Sequence, residues 1–191
     1  MDSESIILPL DDPAKAIKFC QNFRKLARKL SDEQGPKKAI MAIMETKWHL
    51  RARAVIYENG KCLVVRTKNG SHSFLAGGHV ESGESVPAAL EREMLEETGR
   101  KCEIKEYLGA IENAWIKDGG REWEITHFFH VVIPDLEADS HILPAEEGFD
   151  FLWINSDEFE KLNLLPVPLR NLMKNWAGGD TTIWWASTMI T

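Results

Sequence analysis

Apolar positions along the chain change period once, near His49. Before it, Ile17, Cys20, Phe23, Leu26, Ala27 and Leu30 recur at helical spacing behind Asp12-Pro13, an N-cap followed by a first-turn proline. They predict an amphipathic helix over about residues 13–31. SDEQGPKK then reads as a turn, and Ile40, Ile43 and Met44 predict a second short helix. From His49 the period is two: LRARAVIYENGKCLVVRTK alternates and carries Asn59-Gly60 between two apolar runs, a strong hairpin signal. Further strands are expected over about 101–112, 122–133 and 149–155. Helices are expected over 86–98, over 156–162 behind Ser156, and over 166–176 behind Pro166. The tail TTIWWASTMIT is expected to bury as a strand or at a subunit contact, because exposed it would be adhesive. This order predicts an α/β (α+β) fold with a mixed β-sheet and helices against its faces. The expected division is an N-terminal helical extension over 1–47 and one domain over 48–191.

Composition narrows the class. The 191 residues are 43% hydrophobic and 28% charged, enough apolar material for a core. Net charge is −7, which disfavours stable nucleic-acid binding. The expected helix at 13–31 runs against that balance, with six cations and no acid from Pro13 to Ser31. A solvated basic face on a packed helix is favoured there over a membrane or RNA contact. No stretch approaches the length of an apolar membrane span, and MDSESIILPLDD lacks a signal's basic and apolar regions. Cys20, Cys62 and Cys102 are odd in number and far apart, which argues against a disulfide framework or zinc site and for a reducing cytoplasm.

The chemistry is concentrated between Gly77 and Gly99, GGHVESGESVPAALEREMLEETG. Ser85 can cap a helix with Pro87 in its first turn, and Gly99 can end it. On that helix Glu93, Glu96 and Glu97 stand at i, i+3 and i+4, so their carboxylates share one face. Val86, Leu90 and Met94 form the adjoining apolar stripe. Like charges at i,i+4 cost a few tenths of a kcal/mol. A hard divalent cation would relieve that repulsion. A solvated acidic face, with Arg92 opposite Glu96, is the alternative these residues alone leave open.

Gly78, Glu84, Arg92-Glu93, Glu96-Glu97 and Gly99 carry the Nudix box, Gly-x5-Glu-x7-Arg-Glu-U-x-Glu-Glu-x-Gly-U, where U is bulky and apolar. Met94 fills the first U; Arg100 departs from the second. Seven identities at roughly 7% each would arise by chance in about one such chain in a million. The segment from about Trp48 to Trp176 thus resembles the Nudix hydrolase family.

The resemblance implies an α/β/α sandwich and a Mg²⁺-dependent hydrolase, with Mn²⁺ possible, that cleaves the diphosphate of a small-molecule nucleotide. It implies Glu93, Glu96, Glu97 and the Gly78 carbonyl as metal ligands, with Glu84 and Arg92 orienting the loop and helix. In PAEEGFDFLWI, Glu147 stands six residues before Trp153, where relatives often place a further ligand or general base. Glu146 is its reserve, and Glu112 and Glu124 are weaker candidates. Subfamily markers are missing: Ala114 and Trp115 stand where ADP-ribose hydrolases often carry a proline, and Ile116 and Lys117 where dinucleoside polyphosphate hydrolases carry a tyrosine. The expected substrate is a nucleoside diphosphate linked to a sugar or of ADP-ribose type. Nucleoside triphosphates come second, and a silent nucleotide sensor third. The apolar stripe of the expected helix over 13–31 must dock on its own domain or on a second subunit. Relatives are often dimers, so a homodimer to whose stability residues 1–45 contribute is expected.

Other residues are candidates by type. Arg51 and Arg53 share a face of the first strand and could grip a phosphate, with ordinary sheet-face charge an equal alternative. Phe74, Trp115 and Trp123 could stack on a base, although core packing competes for each. His127 and His130 should face opposite ways, one core and one exposed, which makes a shared metal unfavourable. Asn69-Gly-Ser marks a turn.

Overall fold

The computed structural model describes residues 47–68, 70–117, 120–144 and 148–189. The helices expected over 13–31 and near 40–44, Asn69, and the carboxylates Glu146 and Glu147 lie outside these residues. Among the described residues, eight strands and two helices follow in chain order: β1 (Lys47–Val55), β2 (Tyr57–Glu58), β3 (Lys61–Thr67), β4 (Ser73–Phe74), α1 (Val86–Thr98), β5 (Glu103–Lys117), β6 (Gly120–Val132), β7 (Phe149–Asn155), α2 (Leu169–Ala177) and β8 (Trp184–Ser187). One sheet has the order β1-β6-β5-β8, and the other pairs β3 with β2, β4 and β7. The β3–β7 ladder is antiparallel from Lys61↔Asn155 to Thr67↔Phe149, whereas β5 and β8 run parallel from Gly109↔Trp184 to Glu112↔Ser187. Both hands of pairing occur, as the mixed-sheet expectation required. Among the described residues no helix is long and apolar enough to cross a membrane.

The hairpin turns at Asn59-Gly60, both with positive φ (51° and 81°), the backbone its two-residue loop demands. Strand residues then part by face. Leu63 and Val65 join Ala52, Ala54, Phe129 and Val131 in one core cluster, which contains Leu90 and Met94 of α1. Cys62 and Val64 join Val55, Leu108 and Phe128 in a second, which contains Leu169 and Met173 of α2. Burial on both faces explains why VIYENGKCLVV reads as nearly continuous apolar runs.

Three expected bounds shift. The strand expected over 101–112 continues to Lys117. In place of a helix over 156–162 there is a 3-10 turn, Ser156–Glu158, and tight turns follow it. Asn163, in the left-handed region at φ 49°, closes that segment while Phe159 and Leu164 bury. The helix expected from Pro166 begins at Leu169, with Pro168 as its cap. The tail strand forms as expected, with Trp184 buried and Trp185 exposed.

The chain divides into two compact units. One holds, among described residues, 47–48, 114–117, 120–123 and 189. Within it the Trp48 and Trp123 rings lie 5.1 Å apart, and the Arg121 guanidinium sits 5.7 Å from the Trp123 ring centre. The other, 49–113 with 124–188, holds both core clusters and the site below.

Candidate active site

Helix α1 forms where its caps dictate. Ser85 accepts from the Ala88 N–H at 3.3 Å, and Gly99, at φ 67°, returns its N–H to the Leu95 carbonyl at 2.9 Å. Leu90 and Met94 are fully buried, and the adjoining side of the helix carries Glu93 and Glu97 toward the preceding loop. That loop runs along the free edge of β1. Ala54 N–H donates to Ala76, Ala52 to Gly78, and Val80 N–H to Leu50, all at 2.9–3.0 Å.

Arg92 is the hub. Its Nη2 donates to Glu84 Oε1 at 2.8 Å and to the His79 carbonyl at 3.0 Å, and its Nε to Glu84 Oε2 at 3.2 Å. Its Nη1 reaches Glu93 Oε1 and Glu96 Oε2, each at 3.0 Å. Hydrogen bonds to Glu84 first, then to Glu93, hold the guanidinium charged. The same bond, with the Glu81 N–H at 2.7 Å, pushes the Glu84 carboxyl below the usual carboxylate range.

Glu97 reaches the loop directly, its Oε2 accepting from Gly77 N–H at 2.9 Å. Gly78 lies against Glu93: a Cβ built there would stand 2.3 Å from the Glu93 carboxyl carbon. Arg53 lies beneath, donating from Nη1 to the carbonyls of Leu75 (2.9 Å) and Gly77, with its guanidinium 5.0 Å from the Phe74 ring centre. Burial and the charge of Arg51 push its pKa down to about 10, against the pull of Glu97, Glu124 and Glu93, so it stays charged at neutral pH. Arg51 Nε pairs with Glu124 Oε2 at 2.7 Å, and Thr126 Oγ1 donates to Glu124 Oε1 at 2.9 Å.

Most of the expected site residues therefore meet in one place: Glu84, Arg92, Glu93, Glu96, Glu97, Gly78, Arg51, Arg53 and Phe74. Trp115 belongs to the other unit. Glu124 joins the cluster as the partner of Arg51. The histidines face opposite ways, but the core-and-exposed assignment is corrected. Both are partly buried, His127 bonded to Tyr107 at 2.9 Å and His130 packed on Trp176 with ring centres 5.1 Å apart. Long aromatic neighbours on each side cover part of both rings.

Sequence reasoning missed the Gly77 N–H as a partner of Glu97. It also missed a cleft lined by Val65, Glu97, Pro144, Phe149 and Phe151. Phe74 borders Phe149 edge-on at 6.3 Å. The alternation of Phe149 and Phe151 on an expected strand was the available signal for that wall.

The donor set suits a hard divalent cation: carboxylate oxygens on one helix, with a neighbouring glycine that leaves room for one of them. Among the described residues no three His, Cys, Asp or Glu side chains stand ready to hold a metal as they are. Arg92 holds Glu93 and Glu96, and Gly77 holds Glu97, so cation binding would exchange some of these bonds for metal–oxygen contacts.

The NUDIX domain pattern matches residues 47–176, well over half of the 191 residues. The chain belongs to the NUDIX family. An ADP-ribose pyrophosphatase of Methanocaldococcus jannaschii is 32% identical over 95 residues, 48% of this chain and 56% of that protein. The chain thus matches little more than half the length of that curated relative. Among solved structures, the NUDIX chain resembles the E. coli ORF135 protein at 27% identity and TM-score 0.53, covering 72% of this chain and 96% of that one. A UDP-X diphosphatase shares the fold at 17% identity and TM-score 0.51, covering 92% and 88%.

Proposed function

We propose that this NUDIX protein is a divalent-cation-dependent pyrophosphohydrolase acting on a nucleoside diphosphate linked to a second moiety, of ADP-ribose type. The observation that carries the reading is the Arg92 hub, which gathers Glu84, Glu93 and Glu96 beside the Glu97–Gly77 contact. The ADP-ribose preference draws on the Methanocaldococcus jannaschii relative. Mg²⁺, or Mn²⁺ in its place, would be held by Glu93, Glu96 and Glu97 with the Gly78 carbonyl. When bound it neutralises diphosphate oxygens and lowers the pKa of water.

The chain's own residues do the positioning on which phosphoryl chemistry mainly depends. Arg92 and Glu84 lock the loop onto α1, so the glutamates meet the diphosphate in a fixed geometry. Arg51 supplies positive charge for the phosphates, and Phe74, Phe149 and Phe151 offer apolar surface for the nucleoside. Glu147 is the proposed acceptor of the water's proton. Water then attacks one phosphorus, the anhydride P–O bond breaks, and ADP-ribose yields AMP and ribose 5-phosphate.

The test is product analysis on ADP-ribose, nucleotide sugars and nucleoside triphosphates, with Mg²⁺ and in a metal-free control. AMP and ribose 5-phosphate from ADP-ribose support the reading. Pyrophosphate released from triphosphates alone would replace it with the triphosphate reading, and no turnover at all with a sensor. If Glu147 is the base, Glu147→Gln lowers kcat by about 10²–10⁴-fold. A homodimer is proposed as well, supported by exposed Ile183 and Trp185 at the β8 edge, and is checked by solution mass. A cytoplasmic setting accords with the free thiols of Cys62 and Cys102.

A further inference from the structure

We infer that Arg53 is a positioning residue, which fixes the Gly77 backbone and through it Glu97, and is not a grip on the substrate. The inference deepens the proposed hydrolase reading and rests on it for its kinetic arm.

Backbone pairing makes the need for Arg53 visible. In the extended segment before α1, alternate carbonyls point to opposite sides. Those of Ala76 and Gly78 accept from Ala54 and Ala52 of β1 at 2.9 and 3.0 Å. Those of Leu75 and Gly77 point away from that ladder, and both accept from Arg53 Nη1. Without Arg53 these carbonyls would lose a charged donor in a part-buried setting, which is costly. One arginine side chain thus completes the pairing of the loop on the side that the β1 backbone cannot reach.

Gly77 joins this strut to the acid. Its carbonyl accepts from Arg53 while its N–H donates to Glu97 at 2.9 Å, so one residue transmits the position of the first to the second. Its φ of 114° and a virtual Cβ only 2.3 Å from the Ala52 carbonyl oxygen restrict the site to glycine. Glycine left unheld is the most mobile residue, so the bonds on either side are what hold it.

The arginine's surroundings argue against a substrate grip. Both N–H groups of Nη1 are committed to carbonyls of the loop. Gripping a phosphate with Nη1 would release the loop that carries Glu97.

The experiment compares Arg53→Met and Arg53→Lys with wild type in steady-state kinetics, Mg²⁺ activation and amide hydrogen exchange at Gly77. Expected for Arg53→Met is a kcat loss of about 10–100-fold, the scale for lost support around a metal site. KM should stay within about threefold. More Mg²⁺ should be needed, and the Gly77 amide should exchange faster. Arg53→Lys, which keeps a cationic donor on a long side chain, should recover part of the kcat and fold even if the Met variant does not. A raised KM with unchanged kcat would overturn the inference in favour of a grip. Tighter Mg²⁺ binding would overturn it in favour of a competing counter-ion, and unchanged Gly77 exchange would remove the strut. Wild type inert on every diphosphate would defeat the hydrolase reading, while the exchange measurement would still decide the strut.

Discussion

Arg92 meets Glu84 edge to edge, Nη2 to Oε1 at 2.8 Å and Nε to Oε2 at 3.2 Å, a two-pronged pair that only a guanidinium can make. The pair joins the loop before α1 to the helix itself, and the remaining donors of Arg92 serve Glu93, Glu96 and the His79 carbonyl. Lysine keeps the charge and loses the fork. We expect Arg92→Lys to cut kcat/KM by about 10–100-fold, with circular dichroism unchanged. A rate within twofold of wild type would show the fork to be dispensable.

Glu97→Gln keeps size and helix propensity and can still accept from the Gly77 N–H, but it removes a charged oxygen. A loss of at least about a hundredfold is expected at saturating Mg²⁺, with the thermal midpoint preserved. Near wild-type turnover would take Glu97 out of the site.

The two adjacent glycines should fail differently. At Gly78 an added Cβ collides at 2.3–2.4 Å with the end of the flexible Glu93 side chain, which can swing away. Gly78→Ala should therefore fold well and bind Mg²⁺ more weakly. At Gly77 the collision is with the Ala52 backbone carbonyl, and the positive φ is itself unfavourable for alanine. Gly77→Ala should lose about 1–3 kcal/mol in denaturant unfolding. Equal stability losses in the two variants would contradict this account.

His127 and His130 carry a pH dependence whose sign is fixed. Burial pushes both imidazole pKa values below the usual 6.5, with Glu106 opposing and Lys105 adding to the shift at His130. The unfolded chain therefore takes up protons first as pH falls. The stability they contribute is present above pH 6.5 and is lost as pH falls through the lowered folded-state values. The thermal midpoint should drop between pH 7.5 and 5.5, and His130→Gln should flatten part of that drop. A midpoint flat or rising on acidification would refute it.

Helix α1 was legible residue by residue. Ser85, Pro87 and Gly99 mark its ends, and the observed bounds Val86–Thr98 coincide with the expectation. The placing of Glu93, Glu96 and Glu97 on one face follows from helical period alone. The Asn59-Gly60 hairpin was legible for the same reason, since its turn needs two left-handed residues in a row. The segment 156–162 was misread because its apolar spacing suits a helix, while burial of Phe159 and Leu164 around Asn163 favours a tight turn. Local pattern carries no record of that competition.

What the sequence by itself determined is helix α1, its carboxylate face and the family. All of these rest on interactions within about thirty consecutive residues. Only the tertiary structure decided which carbonyls Arg53 completes, that Arg51 faces Glu124, and that Trp184–Ser187 lies parallel to β5 at Gly109–Glu112. Those relationships join residues some twenty to seventy-five positions apart. Whether a carbonyl is left unpaired, or a charge loses its water, depends on what the rest of the chain brings beside it. No periodicity along the chain encodes that, because burial and pairing are properties of the packed molecule.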